Sequence, residues 1–182
     1  LLKCDLLVAA DGPNSAARQA LGIKTLQYSY DQSANVCVVE ATRPTNGTAF
    51  QWFGKEGPLA LLPLSYRGKF AVVWSTTQDF GLQPEDYFEK KLNVRTREKL
   101  GKLKMRTKRF CFPLQQKHAL KYVKDGVALI GDSAHTIHPL AGQGGNLGFA
   151  DAEILAKEIS MAKIEGLGVR DQNILKRYEK SR

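Results

Sequence analysis

A chain of 182 residues with 43% hydrophobic content is long enough for one substantial core or two smaller ones, which excludes a disordered or fibrous protein. It contains no unbroken apolar run of membrane-spanning length, and the opening Leu-Leu-Lys-Cys-Asp lacks the basic-then-apolar layout of a signal peptide, so neither a membrane span nor an export leader is expected. The net charge of +9 is local: residues 90–109 carry ten basic side chains against Glu98 alone, and the rest of the chain is balanced.

Residues 6–10 are apolar and predict a buried strand. Asp11, Gly12, Pro13 and Asn14 then supply turn chemistry, and Ser15 is placed to cap a short helix that ends near Gly22. Four short β-type runs follow, at residues 36–41, 48–53, 59–64 and 70–76. Turn residues around Pro44, Gly47, Gly54, Gly57 and Gly68 separate them, which spells an antiparallel meander. Trp52, Phe53 and Trp74 are expected to pack its core. Pro84 opens a helix in which Phe88 and Leu92 share a face, and residues 109–114 predict a further strand.

The basic residues Lys90, Lys91, Arg95, Arg97, Lys99, Lys102, Lys104, Arg106, Lys108 and Arg109 fall on this helix and beyond it. A solvated surface is their default reading, and an anionic membrane surface is the functional one. Nucleic acid is not expected as a partner, because no binding module or stacking motif accompanies the charge. Cys4, Cys37 and Cys111 are scattered among apolar neighbours and read as ordinary thiols of a reducing compartment.

Residues 126–130 form a short apolar run that predicts a central strand ending at a ligand crevice. Gly131 follows it directly, and Asp132 stands at the strand's carboxyl end. Pro139 then fixes the backbone, Gly142, Gly144 and Gly145 permit close approach by a ligand, and helical spacing resumes through Leu147, Ala150, Ile154, Leu155 and Ile159. The exposed N–H groups and positive end of such a helix suit an electron-rich ligand group, while the Asp132 carboxylate suits a ribose hydroxyl. The bland alternative is a glycine-rich helix start with a capping Asp and two surface histidines. His135 and His138 have ligand-like spacing but no third partner cluster, so no metal is expected and either one can brace the loop by hydrogen bonds. Nothing marks a nucleophile elbow or a zinc-protease helix, as is usual when a cofactor carries the chemistry.

The segment His135 to Gly148, His-Thr-Ile-His-Pro-Leu-Ala-Gly-Gln-Gly-Gly-Asn-Leu-Gly, resembles the second FAD fingerprint of the class A flavoprotein aromatic hydroxylases, in the form typical of their ubiquinone-biosynthesis branch. Gly145 departs from the bulkier apolar residue usual in that branch. Asp11, Gly12, Ser15 and Arg18 are similar to the family's Asp-Gly motif, in the expected order before the Gly-Asp segment.

The resemblance implies a mixed α/β (α+β) fold: part of an FAD/NAD(P)-binding three-layer domain, interrupted by an antiparallel-sheet substrate domain. Residues 1–24 and 118–182 would belong to the FAD-binding domain and residues 25–117 to the inserted sheet. It implies an FAD-dependent monooxygenase of ubiquinone biosynthesis that hydroxylates a polyprenylated phenol with NAD(P)H and O2 through a flavin C4a-hydroperoxide. Asp11, Gly12, Arg18, Gly131, Asp132, Pro139, Gly142, Gly144, Gly145 and Asn146 would hold FAD, with Arg18 near the pyrophosphate and Asp132 on the ribose. Pro139, Gly142, Gln143 and Gly144 would surround the flavin ring. The implied location is the cytoplasm, peripheral to the inner membrane, within a ubiquinone-biosynthesis complex. Two other readings stay open: a related flavoprotein of different chemistry, such as a halogenase or isoprenoid reductase, and a non-catalytic basic domain for membrane or nucleic acid. The family's Gly-x-Gly-x-x-Gly element does not occur in the sequence, so the chain reads as a piece of a longer protein that binds FAD weakly by itself.

Overall fold

The computed structural model describes residues 3–43, 45–66, 68–96, 99–138 and 143–182. The chain divides into two compact units, one formed by residues 1–28 and 115–182 and the other by residues 29–114. The borders fall inside two strands, β2 (Thr25–Ala41) and β7 (Phe110–Ala119), and not in linkers. No helix among the described residues is long and apolar enough to cross a membrane.

The first unit begins with β1 (Leu7–Ala9), whose apolar run leads into the Asp-Gly turn and helix α1 (Ala16–Ala20). Ser15 caps that helix by accepting the Arg18 backbone N–H at 3.0 Å. After β7 come β8 (Val123–Lys124) and β9 (Val127–Leu129), joined by Asp125 and Gly126, both at positive φ (50° and 77°). This is the geometry of a two-residue type I′ hairpin, so Gly126 belongs to the turn and not to the expected strand. β1 lies parallel to β9, with Ala9 opposite Leu129, and β9 is the middle strand of the order β1-β9-β8. A 3-10 turn (Gly131–Ser133) and β10 (His135–Thr136) follow, then the long helix α4 (Gln143–Ile164) and α5 (Gln172–Lys180). Ala128, Leu129, Leu155, Leu175 and Tyr178 build the core between sheet and helices. The Arg177 guanidinium ties α5 to Glu158 of α4 at 2.7 Å.

In the second unit, β3 (Phe50–Trp52), β4 (Leu59–Pro63) and β5 (Lys69–Thr77) form the expected meander, while β2 pairs with β5 on its far side. β2 is also much longer than residues 36–41: its pairing with β5 already begins at Gln32, and β7 is its neighbour on the other side. After α2 (Gln78–Gly81), α3 (Glu85–Thr96) lays Phe88 and Leu92 onto the sheet, both fully buried, and β6 (Leu103–Met105) pairs with β2. Alternation sends Cys37, Val39, Leu59, Leu61, Phe70, Val72 and Trp74 into one core. Trp74 is fully buried, and its ring centroid lies 4.9 Å from Phe80 and 5.5 Å from Phe88. Trp52 is partly buried against that core, but Phe53 is 71% exposed and does not belong to it. It follows the last residue of β3, where pairing has already stopped.

Candidate flavin site

Parallel pairing of β1 with β9 places the residues after Ala9 beside those after Leu129, so the Asp-Gly and Gly-Asp segments meet at one end of the first unit's sheet. Two buried side chains lock them together. Ser133, fully buried, puts its Oγ 2.6 Å from the Ala9 carbonyl and accepts the Ile130 N–H at 3.2 Å. Arg18, 6% exposed, donates from Nη1 to the Ser133 carbonyl at 2.6 Å and from Nη2 to the Pro13 carbonyl at 2.8 Å. Among the described residues no carboxylate pairs with this guanidinium, so its positive charge is held at the turn without a counter-ion.

Asp11 is exposed and caps α1, accepting the Ala17 N–H at 3.2 Å. Its carboxyl is held below the usual range, first by the Ser15 hydroxyl and then by backbone N–H groups that outweigh the slight burial. Gly12 forms the turn at φ 84°. Asp132 is exposed within the 3-10 turn, and among the described residues no donor engages its carboxylate. It is the acceptor of this cluster left for an outside partner.

The glycines separate into two kinds. Gly131 adopts φ 61°, and a Cβ on Gly148 would stand 3.3 Å from its Cα, so this pair lets α4 approach the turn. Gly144 and Gly145 lie in the first turn of α4, where an added Cβ would meet none of the described residues within 4 Å. Packing against the described residues therefore does not require glycine at these two positions, which leaves room for a ligand at the helix start. A bulkier residue at position 145 would fit this backbone, so the departure from the family's usual residue leaves the turn undisturbed. Gln143 and Asn146 are exposed in the same turn, with Asn146 Nδ2 3.5 Å from Gln143 Oε1. The first turn of α4 carries no acidic side chain to compete with an anion for its N–H groups. Pro139 and Gly142, expected beside the flavin ring, lie outside the described residues, as do Leu140 and Ala141.

The two histidines part company. His135 is buried with Nε2 2.7 Å from Asp151 Oδ2, the bracing role expected of it. His138 is half-buried, and burial pulls its pKa below the usual imidazole value. Sequence reading missed Asp151 and Arg182. The signal was Leu147, Asp151 and Leu155 at four-residue spacing, which puts a carboxylate on the helix stripe that carries the apolar residues.

The FAD binding domain family matches residues 1–182. The chain belongs to the FAD binding domain family. This FAD binding domain is 35% identical to the mitochondrial ubiquinone biosynthesis monooxygenase COQ6 of Danio rerio, over 219 residues covering 100% of this chain and 45% of that protein. It is also 35% identical to 3-demethoxyubiquinol 3-hydroxylase of Escherichia coli, over 194 residues covering 100% of this chain and 47% of that protein. The chain thus spans slightly under half the length of these curated relatives, which belong to the branch that its two motifs resemble. Among solved structures, the flavin-dependent halogenase CmlS matches 97% of this chain and 34% of its own with a TM-score of 0.78 and 17% identity. PqsL of Pseudomonas aeruginosa, a probable FAD-dependent monooxygenase, matches 98% of this chain and 51% of its own with a TM-score of 0.75 and 20% identity. Those two likenesses are of fold.

FAD fits the residues present: an unengaged carboxylate at Asp132, a buried cation at Arg18 and an open glycine pair at a helix N-terminus converge on one end of one sheet.

Proposed function

We propose that this chain is the central and later part of an FAD- and NAD(P)H-dependent monooxygenase that hydroxylates a polyprenylated phenol in ubiquinone biosynthesis. The observation that carries the reading is that parallel pairing of β1 with β9 brings the Asp-Gly and Gly-Asp segments together, with the Asp132 carboxylate unengaged among the described residues and no acidic side chain in the first turn of α4. The names of the relatives supply the reaction and the substrate class. Bound FAD supplies oxygen activation and hydride acceptance; the chain's own residues bind and orient it. Asp132 accepts from a ribose hydroxyl, and the Arg18 charge attracts the pyrophosphate from within the fold. Backbone N–H groups from Gly144 to Asn146, with Gln143 beside them and Pro139 and Gly142 preceding, favour negative charge on the flavin ring.

The expected experiment uses the intact protein: it should copurify with FAD, consume O2 with NAD(P)H when given a polyprenylated phenol, and yield the ring-hydroxylated product. Tight FAD binding with NAD(P)H oxidation but no hydroxylated product would reject the reaction. The isolated chain of 182 residues should bind FAD weakly, and tight stoichiometric binding by it would reject the division of the site.

A membrane surface is proposed through only part of the basic stretch. Arg106 pairs with Glu40, Lys91 lies 4.0 Å from Glu56, and the Arg109 guanidinium donates to the Gly81 and Gln83 carbonyls and stacks 4.8 Å from Phe88. Lys90, Lys102, Lys104 and Lys108 are exposed and have no acidic partner among the described residues, and Arg97 lies outside them. Each would add about 1 kcal/mol near anionic lipid. Co-sedimentation that increases with the anionic fraction of vesicles supports this surface, and binding independent of that fraction rejects it.

A further inference from the structure

The Asp151 carboxylate is fully buried, and the proposed function gives it no part in holding FAD. An ionised carboxylate withdrawn from water is strongly disfavoured unless its oxygens are engaged. Here Oδ2 accepts the Gly131 N–H at 2.7 Å and faces His135 Nε2 at 2.7 Å. Oδ1 lies 2.5 Å from Arg182 Nε, an ion-pair contact outside hydrogen-bond direction. An ionised Oδ2 only accepts, which pairs it with the His135 tautomer that carries its proton on Nε2.

These partners have a common place in the sequence. Gly131 immediately precedes Asp132, and His135 follows it by one short turn. One carboxylate on α4 thereby grips both flanks of the turn that presents Asp132. The same helix carries Gly144, Gly145 and Asn146 in its first turn, so Asp151 fixes the Asp132 turn and the helix start as one piece. Simple attachment of helix to helix would need only Arg182; the Oδ2 contacts go elsewhere, to the turn. Arg182 also neutralises the carboxylate, so its charge does not oppose an anionic cofactor nearby. The His135 ring is held in turn by stacking on Tyr122, with centroids 5.8 Å apart and planes 20° apart.

We propose that Asp151 is a positioning residue for FAD, acting through Gly131 and His135 to hold Asp132 in place; this rests on the reading of the turn as an FAD site. The test is a double-mutant cycle on FAD affinity in the intact protein, titrated by flavin fluorescence, with Asp151→Asn, Asp132→Ala and the double variant. Asp151→Asn should weaken FAD by roughly tenfold or more, a size known for groups that orient a ligand's direct partners. The double variant should lose clearly less than the product of the two single losses, because the part of the Asp151 effect that runs through the Asp132 carboxylate is already gone. Bound flavin in Asp151→Asn should also show an altered visible circular dichroism band. Losses that multiply in the double variant, or an unchanged FAD affinity in Asp151→Asn, would overturn the proposal. If Asp151→Asn does not fold, His135→Ala in the same cycle replaces it: several-fold weakening coupled to Asp132 is expected, and multiplying losses overturn the proposal equally. Failure of the unsubstituted protein to bind FAD would instead remove the FAD reading itself.

Discussion

The two units bury different chemistry. In the second, the buried polar side chains among the described residues are the neutral Ser33, Asn35, Ser75, Thr76 and Thr96, with charge reaching in only through guanidinium nitrogens of the partly exposed Arg95 and Arg109, around a core of Trp74, Phe70, Phe88 and leucines. In the first, Arg18, His135 and Asp151 are buried together with Ser15 and Ser133; Ser15, Arg18, Ser133 and Asp151 bond to backbone groups of the turns and cap that shape the candidate site, and His135 bonds to Asp151. Apolar packing holds a sheet together without fixing any one atom closely, whereas directional bonds to backbone groups fix a turn. The second unit is thus built for bulk stability and the first for placing a few ligand-facing groups.

Substitutions can break this contrast, and the largest effects come first. Asp151→Ala leaves Arg182 and His135 without their partner and should destabilise the first unit by about 3–5 kcal/mol, read as lost amide protection in α4 and β9. Trp74→Ala should produce a loss of similar size, about 3–5 kcal/mol, but centred on β4 and β5. Equal loss of protection in both units from either substitution would erase the distinction.

Alkaline titration gives the next effect. The Tyr122 phenol is pushed up to about 12, by burial first and by the Asp151 charge second. The folded chain keeps a proton that the unfolded chain gives up near pH 10, so this contribution is intact below pH 10 and drains away as pH rises toward about 12. Tyr122→Phe should remove on the order of 1–2 kcal/mol of that slope, measured by denaturant melts across the window. What remains comes from Tyr178, which burial also raises, and from Cys37 of the second unit, raised by burial to about 12. An unchanged slope in Tyr122→Phe would show that the phenol is not held as described.

The glycine pair provides a sharper test at smaller size. Gly144→Ala meets no described residue, so the helix-propensity gain should stabilise the FAD-free protein by up to about 1 kcal/mol, while FAD affinity falls because the methyl group occupies ligand space; Gly145→Ala should bring the same gain and leave FAD affinity unchanged. Gly148→Ala should lower both, since its Cβ presses on the Gly131 backbone at 3.3 Å. The smallest effect belongs to His138. Its lowered pKa means that the unfolded chain binds the proton first, so stability should decline as pH falls below the ordinary imidazole value near 6.5, and His138→Gln should flatten that decline.

Much of this was legible in the sequence where local pattern and tertiary role agree. The strands at β4, β5 and β9, the capping Ser15 and the buried face of Phe88 and Leu92 follow directly from apolar spacing and turn chemistry. The first half of β2 was missed although Leu26, Tyr28 and Tyr30 alternate with Gln27, Ser29 and Asp31 at strand spacing; Leu26 and Tyr28 are exposed, so burial does not mark the strand. Asp125 and Gly126 carry a hairpin signal, whereas the apolar run assigns Gly126 to the strand that follows. The site was legible as motifs but not as a network: Arg18 reads as a cation for a ligand, yet its two terminal nitrogens are bonded to the Pro13 and Ser133 carbonyls. Asp151 and Arg182 act through contacts across helix, turn and chain end, which spacing alone does not reveal.

The most direct measurement is hydrogen exchange on the intact protein with and without FAD. Binding in the first unit predicts new protection in peptides covering residues 11–18 and 131–148, with the β4 and β5 core of the second unit unchanged. Protection confined to residues 29–114, or none in residues 131–148 at saturating FAD, would contradict it.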